Sequence, residues 1–331
     1  MEKIRNLLEF VDIGDSARRQ YINALSVFTA LEEARKKAAQ YRGGMYWKKH
    51  SKTKIDYLIR TQTDNSQKSI GPRCSETEGM YEKFTSSKST IESRIRDLLA
   101  EAELHRRLNR AILVGRAPQM LVDILNMFSR AGIAEHFKVI GTHAIYAYET
   151  AAGVRIEKEA ALETYDIDLL WVVEKKLRFQ TLMKFNESSM IALLKKVDST
   201  FVIRDERRYT AVNSKGFEVD IMRREMSNED TQINSNPSRM TTAEDDFFAV
   251  KAPSAGILQG ATPFTSVIVS PSGHMARINT VSPVEFIKVK KWLSMRPDRD
   301  PIKQSRDKLQ ANIIEKLVTE YLPHLLIKKT I

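Results

Sequence analysis

Asp166 and Asp168 stand two residues apart in Tyr165-Asp166-Ile167-Asp168-Leu169-Leu170-Trp171, a run otherwise built of apolar and aromatic strand formers. Period-two alternation puts both carboxylates on one face of such a strand while Ile167 and Leu169 enter the core. Adjacent carboxylates in an apolar strand are costly unless positive charge compensates them. A hard divalent cation does so. Mg²⁺ needs only a few protein oxygens and completes its shell with water and substrate phosphates. A third acid, Asp220, sits in Phe217-Glu218-Val219-Asp220-Ile221-Met222, flanked by Val219 and Ile221 as Asp168 is by Ile167 and Leu169. Glu218 shares its face by the same counting and is the alternative third ligand. Three acids on adjoining strands can hold two ions, Mg²⁺ or Mn²⁺, one activating an attacking hydroxyl and one bound to a triphosphate.

Ahead of these acids, Phe137-Lys138-Val139-Ile140 reads as a strand ending in Gly141-Thr142, and His143-Ala144-Ile145-Tyr146-Ala147-Tyr148 can open a helix. Glycine permits close backbone approach and the first N–H groups of a helix attract anions, so Gly141 and Thr142 are placed to hold a phosphate. His143 reads as a neighbour of the helix cap.

The elements that must position these residues follow from periodicity. Segment 1–42 reads as helical, with Leu7, Leu8, Val11, Tyr21, Ile22, Leu25, Phe28 and Leu31 at helical spacing and Gly43-Gly44 as the stop. Strands are expected over 45–49, 55–61 and 67–70, with a turn at Asp64-Asn65-Ser66. This ribbon carries Lys48, Lys49, Lys52, Lys54, Arg60, Lys68 and Arg73 interleaved with Tyr46, Trp47 and Tyr57, a mixture suited to phosphate contacts and base stacking. A short helix is expected over 76–84, a long one over 89–113 with Ile91, Ile95, Leu98, Leu99, Leu104 and Leu108 as its stripe, and another from Pro118 through Ala131. Segments 201–204, with an extension through 209–213, and 217–222 read as neighbouring strands joined at Ser214-Lys215-Gly216. Segment 227–242 is polar and reads as a loop or linker. A hairpin over 264–269 and 274–279 precedes a helix opened by Pro283 and a final amphipathic helix over 303–318, with Leu309, Ile313, Ile314 and Leu317 inward. Trp292 belongs to the core, and the scattered methionines are packing filler.

The 331 residues suffice for two or three domains. Lysine and arginine number 53 against 42 acids, a net charge of +11 that favours polyanionic partners, because released phosphate counterions drive such association. One cysteine, Cys74, excludes an internal disulfide and a multi-thiolate zinc site. No segment is apolar for long enough to span a membrane, and the first residues lack the apolar stretch of a secretory signal, so a cytoplasmic location is expected.

Glycine plus hydroxyl, a helix, an Asp-x-Asp strand and a later Asp strand resemble the DNA polymerase β-like nucleotidyltransferase superfamily over about residues 137–222. The 149–164 segment, including Ala151-Ala152-Gly153-Val154-Arg155, lengthens the superfamily's minimal spacing. That longer form looks like the bacterial GSLPR-type nucleotidyltransferases. The likeness rests on Val139-Ile140-Gly141-Thr142-His143-Ala144, Tyr146-Ala147-Tyr148-Glu149 and Asp166-Ile167-Asp168-Leu169-Leu170. It extends to Tyr57-Leu58-Ile59-Arg60, Gly71-Pro72-Arg73 and the carboxy-terminal helices.

The resemblance implies an α+β fold, a mixed sheet with flanking helices. A helical region with the basic ribbon would cover 1–110, the catalytic core 111–226, and a linker, hairpin and helical domain over the cleft 227–331. It implies transfer of a nucleoside monophosphate from an NTP to a hydroxyl with release of pyrophosphate. Asp166 and Asp168 would bind both metals, Asp220 would complete the site and help activate the acceptor, and Gly141 and Thr142 would position the β- and γ-phosphates. Lys290 or Lys291 would contact the triphosphate, with Arg299 and Arg306 behind. The basic surface favours RNA as acceptor, a tRNA 3′ end foremost, and analogy to tRNA-modifying relatives suggests a toxin or phage-defence role. Transfer to a small molecule or a protein hydroxyl, and a non-catalytic nucleic-acid-binding protein on the same fold, are the alternatives.

Overall fold

The computed structural model describes residues 9–52, 54–62, 66–158, 161–162, 164–172, 176–185, 188–224, 239–241, 243–252, 254–258 and 260–326. The chain forms two compact units, one of residues 19–112 and one that joins 1–18 to 113–331. The polar segment 227–242 falls almost wholly outside the described residues, as do Asp64 and Asn65 of the expected turn.

The larger unit opens with β1 (Phe10–Asp12), where a helix was expected. Asp12 explains the break in part, since its carboxylate accepts the Gly14 N–H at 2.7 Å and a guanidinium N–H of Arg18 at 2.6 Å, a local turn that competes with helix. Next comes α1 (Asp15–Gln40), whose first turn belongs to this unit and whose remainder begins the 19–112 unit.

Within the 19–112 unit, β2 (Gly44–Lys49), β3 (Asp56–Thr61) and β4 (Gln67–Pro72) form an antiparallel sheet. Gly43 turns the chain at φ 81°, and a Cβ there would lie 2.0 Å from the Thr61 carbonyl oxygen, so only glycine fits between helix and sheet. The two helices expected over 76–84 and 89–113 are one, α2 (Ser75–Ala111). Thr85-Ser86-Ser87 contains neither glycine nor proline, and its modest propensity penalty is too small to stop a helix. At the far end Gln20 donates to the Asn109 side chain at 3.0 Å, tying the start of α1 to the end of α2. Leu99, Leu104 and Leu108, expected as buried stripe, are 43%, 48% and 37% exposed.

The larger unit resumes with α3 (Gln119–Ala131), where Leu121, Val122, Ile124, Leu125 and Phe128 recur at helical spacing and are all buried. Gly132 at φ 74° ends it. Then come β5 (Phe137–Ile140), a 3₁₀ turn at Thr142–Ala144, α4 (Ile145–Ala152), β6 (Val154–Ile156) and β7 (Asp166–Trp171). The extra segment before the Asp-x-Asp strand thus supplies β6, which pairs antiparallel with β1. Buried Glu149 fastens it, accepting the Ile156 N–H at 2.7 Å and a guanidinium N–H of Arg116. After β7 follow α5 (Lys176–Phe185), α6 (Met190–Val197), β8 (Val202–Ile203), β9 (Thr210–Val212) and β10 (Glu218–Arg223). The stretch 201–213 is therefore two antiparallel strands rather than one extended run. The unit closes with β11 (Val250–Lys251), α7 (Ala255–Leu258), β12 (Pro263–Val269), β13 (Met275–Val281), α8 (Pro283–Ser294) and α9 (Pro301–Tyr321).

The main sheet runs β12-β13-β5-β7-β10-β9-β8, with β11 joined to β10. It is mixed: β7 lies antiparallel to β5 and parallel to β10. Its apolar residues and those of α3, α6, α8 and α9 share one core, with Trp171, Phe137 and Phe179 meeting edge-on. Tyr148 is buried inside it and donates its hydroxyl to the Val281 carbonyl at 2.8 Å, which satisfies the phenol and pins α4 to β13. Ser282 and Asp300 cap α8 and α9, each followed by proline at the first helical position. Among the described residues no helix is long and apolar enough to cross a membrane.

Candidate active site

Parallel pairing of β7 and β10 sets Asp168 beside Asp220 and Asp166 beside Glu218, so the four acids share one face of two neighbouring strands. On the other side of β7, Asp168 is in register with Ile140, the last residue of β5. The chain leaves β5 through Gly141 at φ 69° and ψ −156°, a region that essentially only glycine occupies. Space makes the same demand, since a Cβ at position 141 would lie 2.2 Å from Oδ2 of Asp168. The glycine backbone is packed directly against that carboxylate.

These residues wall a cavity of about 180 Å³. Gly141, Thr142, Asp166, Asp168 and Asp220 line the sheet side, and Phe286, Lys290, Leu293, Arg299, Lys303 and Arg306 line the helical side. The structure thus brings together six of the seven residues singled out in the sequence, with Arg299 and Arg306. Lys291 is the exception. It is exposed, and its Nζ donates to both carboxylate oxygens of Glu315 at 2.7 and 2.8 Å. Helical spacing explains the split: Pro283, Phe286, Ile287 and Lys290 are the buried set of α8, and position 291 lies one step round the helix.

Electrostatics on the sheet side are strained. Asp168 has its carboxyl pushed up to about 7, first by burial and then by Asp166 and Asp220, against the pull of Lys290 and Arg299. Burial also raises Asp220, opposed by the Thr210 hydroxyl, which donates to its Oδ1 at 2.6 Å. Thr164 donates likewise to Asp166 Oδ1. Among the described residues no three Asp, Glu, His or Cys side chains already stand as a metal cage.

Opposite, Asp307 is fully buried and accepts the Lys290 ammonium on Oδ1 at 2.7 Å and the Arg299 guanidinium on Oδ2 at 2.9 Å. Burial lowers the pKa of Lys290, while Asp307 and then Asp168 oppose the shift. Three residues along, Gln310 is also fully buried and donates to Thr142 Oγ1 at 3.0 Å and to the Ala161 carbonyl at 2.7 Å. The Thr142 hydroxyl accepts this bond and keeps its own proton for another acceptor. The sequence reading missed both. Their signal was there: Asp307, Gln310, Ile314 and Leu317 follow one helical stripe, and two polar residues on an apolar stripe mark a buried network.

His143 does not line the cavity. It is buried beside the rings of Tyr146 and Phe217, and burial lowers it to about 4 against the opposing charge of Asp166, so it is neutral packing. Trp292, expected in the core, is half-buried with the Arg296 guanidinium 4.8 Å over its ring. A family model described as nucleotidyltransferase matches residues 119–331, which takes in every residue of the cavity. No curated protein and no solved structure matches the chain.

Proposed function

The chain belongs to a nucleotidyltransferase family, and from that premise we propose that it moves a nucleoside monophosphate from an NTP to an RNA hydroxyl, a tRNA 3′ end, and releases pyrophosphate from the cavity between β7, β10 and α8. Nucleotidyl transfer with a nucleoside triphosphate as substrate comes with the family. The acceptor and the residue roles are our reading. The observation that carries the roles is the register of Asp168 with Asp220, closed by Gly141 and faced by Lys290 and Arg299, and the net charge of +11 supports RNA as the acceptor.

An all-carboxylate donor set, crowded enough to raise Asp168, suits a hard divalent cation. Asp166, Asp168 and Asp220 would hold Mg²⁺ or Mn²⁺, and the bound ion supplies neutralisation of the triphosphate and a more acidic acceptor hydroxyl. The chain's own groups do the rest. Lys290, Arg299, Lys303 and Arg306 bind the phosphate oxygens, and Gly141 and Thr142 close on the β- and γ-phosphates. The acceptor oxygen bonds to the α-phosphorus as the bond to the β-bridging oxygen breaks, and pyrophosphate departs with that oxygen. Asp220, its carboxyl raised by burial and its Oδ1 held by Thr210, takes the hydroxyl proton on Oδ2. The GSLPR-type grouping and a toxin or phage-defence role rest on analogy with relatives.

The test is a labelling assay with each α-³²P-NTP, Mg²⁺ or Mn²⁺ and total cellular RNA, beside the Asp166→Ala/Asp168→Ala variant. Label in tRNA-sized bands with wild type alone is expected. Label on protein, or equal labelling by the variant, overturns the reading. Gly141→Ala gives a finer result. Its methyl must drive the Asp168 carboxylate more than 1 Å from the 2.2 Å contact, and a displacement of that size costs about 100-fold in rate. Steady-state kinetics should show that loss, and a Gly141→Ala enzyme within threefold of wild type would refute the contact's role.

A further inference from the structure

The 19–112 unit lies before the span matched by the family model, and its charge is lopsided. It holds 19 of the 53 lysines and arginines and 11 of the 42 acids, so +8 of the net +11 resides in it. Four lysines, Lys48, Lys49, Lys52 and Lys54, crowd the tip of the β2–β3 hairpin, and all are exposed. None makes an ion pair or side-chain hydrogen bond to a described residue. Arginines of the same sheet behave otherwise: Arg73 pairs with Glu78 at 2.7 Å, and Arg60 donates to the Arg42 carbonyl at 2.8 Å. The one acid at the tip, Asp56, faces Arg73 at 3.7 Å.

Two further features set the tip apart from an ordinary solvated turn. Lys54 adopts φ 60°, a left-handed conformation in which glycine or asparagine is the unstrained choice, so the turn retains a charge at a position that disfavours it. Beside it, Tyr46 and Lys48 of β2 and Tyr57 of β3 lie on one face of the sheet; Lys48 is the register partner of Tyr57, and Tyr46 is 37% exposed. Uncompensated ammonium groups alternating with accessible aromatic rings match the backbone and bases of a single strand of nucleic acid. A lipid surface would ask instead for an apolar face wide enough to insert.

We propose that the β2–β3 hairpin is a binding site for single-stranded RNA, gripping the phosphate backbone with Lys48, Lys49, Lys52 and Lys54 and stacking bases on Tyr46 and Tyr57. As the surface that would hold the acceptor, it rests on the reading of RNA as substrate. The test compares wild-type full-length protein with the fourfold Lys→Ala variant at these positions, titrating a short labelled single-stranded RNA over a range of KCl. With about 0.7 counterions released per phosphate contact, the slope of log affinity against log salt should fall by about 3 in magnitude. Affinity at moderate salt should drop at least tenfold, with binding of a fluorescent ATP analogue unchanged. Equal affinity and slope in the two proteins overturn the proposal, as does wild-type binding to phosphatidylserine vesicles with none to RNA. If RNA binding depends on the lysines but wild type labels no RNA, the surface stands and the RNA-acceptor reading fails. If wild type labels tRNA and the variant binds RNA equally, the reading stands and the surface fails.

Discussion

Asp168→Asn is expected to give a protein that is inert in nucleotide transfer and more stable than wild type. Both effects come from one carboxyl group. In the folded chain it holds its proton up to about pH 7, against 3.8 ordinarily, because burial and the neighbouring Asp166 and Asp220 penalise its charge. Between these two values the folded state binds a proton that the unfolded state has released, so this group lowers stability as pH rises through the window and by a constant amount above it. Asparagine keeps the shape and removes the charge. At pH 8 the variant should gain on the order of a few kcal/mol, a gain that shrinks to nothing near pH 4. Thermal melts of both proteins from pH 4 to 8 measure it, and parallel curves would refute the assignment. Activity should fall at least a thousandfold, the scale on which one transition-state charge contact is worth several kcal/mol. The same proton couples to metal: below pH 7 an ion must displace it, so Mn²⁺ affinity should fall about tenfold for each unit of pH.

Asp307→Ala should be the most damaging substitution outside the acidic face. Asp307 is 0% exposed and its partner Lys290 is 4% exposed, so the alanine variant strands a buried ammonium. Removing one member of a buried pair costs roughly 3–5 kcal/mol, because the surviving charge loses its compensation. For a unit of this size that lowers Tm by on the order of 10 °C. Arg299 loses its anchor as well, so KM for NTP should rise more than kcat falls. Lys291→Ala is the control. Its partner Glu315 is exposed, and such a surface pair is worth less than about 1 kcal/mol. Equal Tm losses in the two variants would overturn the distinction drawn between positions 290 and 291. Lys290→Met, neutral and of similar length, leaves Asp307 with the Arg299 guanidinium at 2.9 Å, so it should lose less Tm than Asp307→Ala and still raise KM.

Much of this site was legible because its strands obey period two. Asp166, Asp168 and Asp220 alternate with Ile167, Leu169, Val219 and Ile221, all fully buried, and only one register sets the acids together with those residues inside. Gly141 was legible as a junction, but its contact with the Asp168 carboxylate depends on how β5 sits beside β7, a long-range pairing that local sequence does not encode. Tertiary partners also decided Phe10–Asp12, a strand only because β6 offers it an edge. The choice between Lys290 and Lys291 was open to helical counting, and so were Asp307 and Gln310. Asp307 and Gln310 share the stripe of Ile314 and Leu317, so their polarity is at odds with a position that helical spacing turns inward.

Both points where the 19–112 unit meets the rest of the chain are secured at β6. Arg18 precedes that unit and bonds to Asp12 of β1, whose neighbour Val11 is in register with Arg155 of β6. Leu113 follows it, and its carbonyl accepts a guanidinium N–H from that same Arg155. A unit whose entry and exit share one anchor is a cassette. It can be lengthened, exchanged or excised without rethreading the sheet that carries the acids. On the proposal that the hairpin grips RNA, exchanging the cassette would change what is gripped and leave the strands that carry Asp166, Asp168 and Asp220 in place.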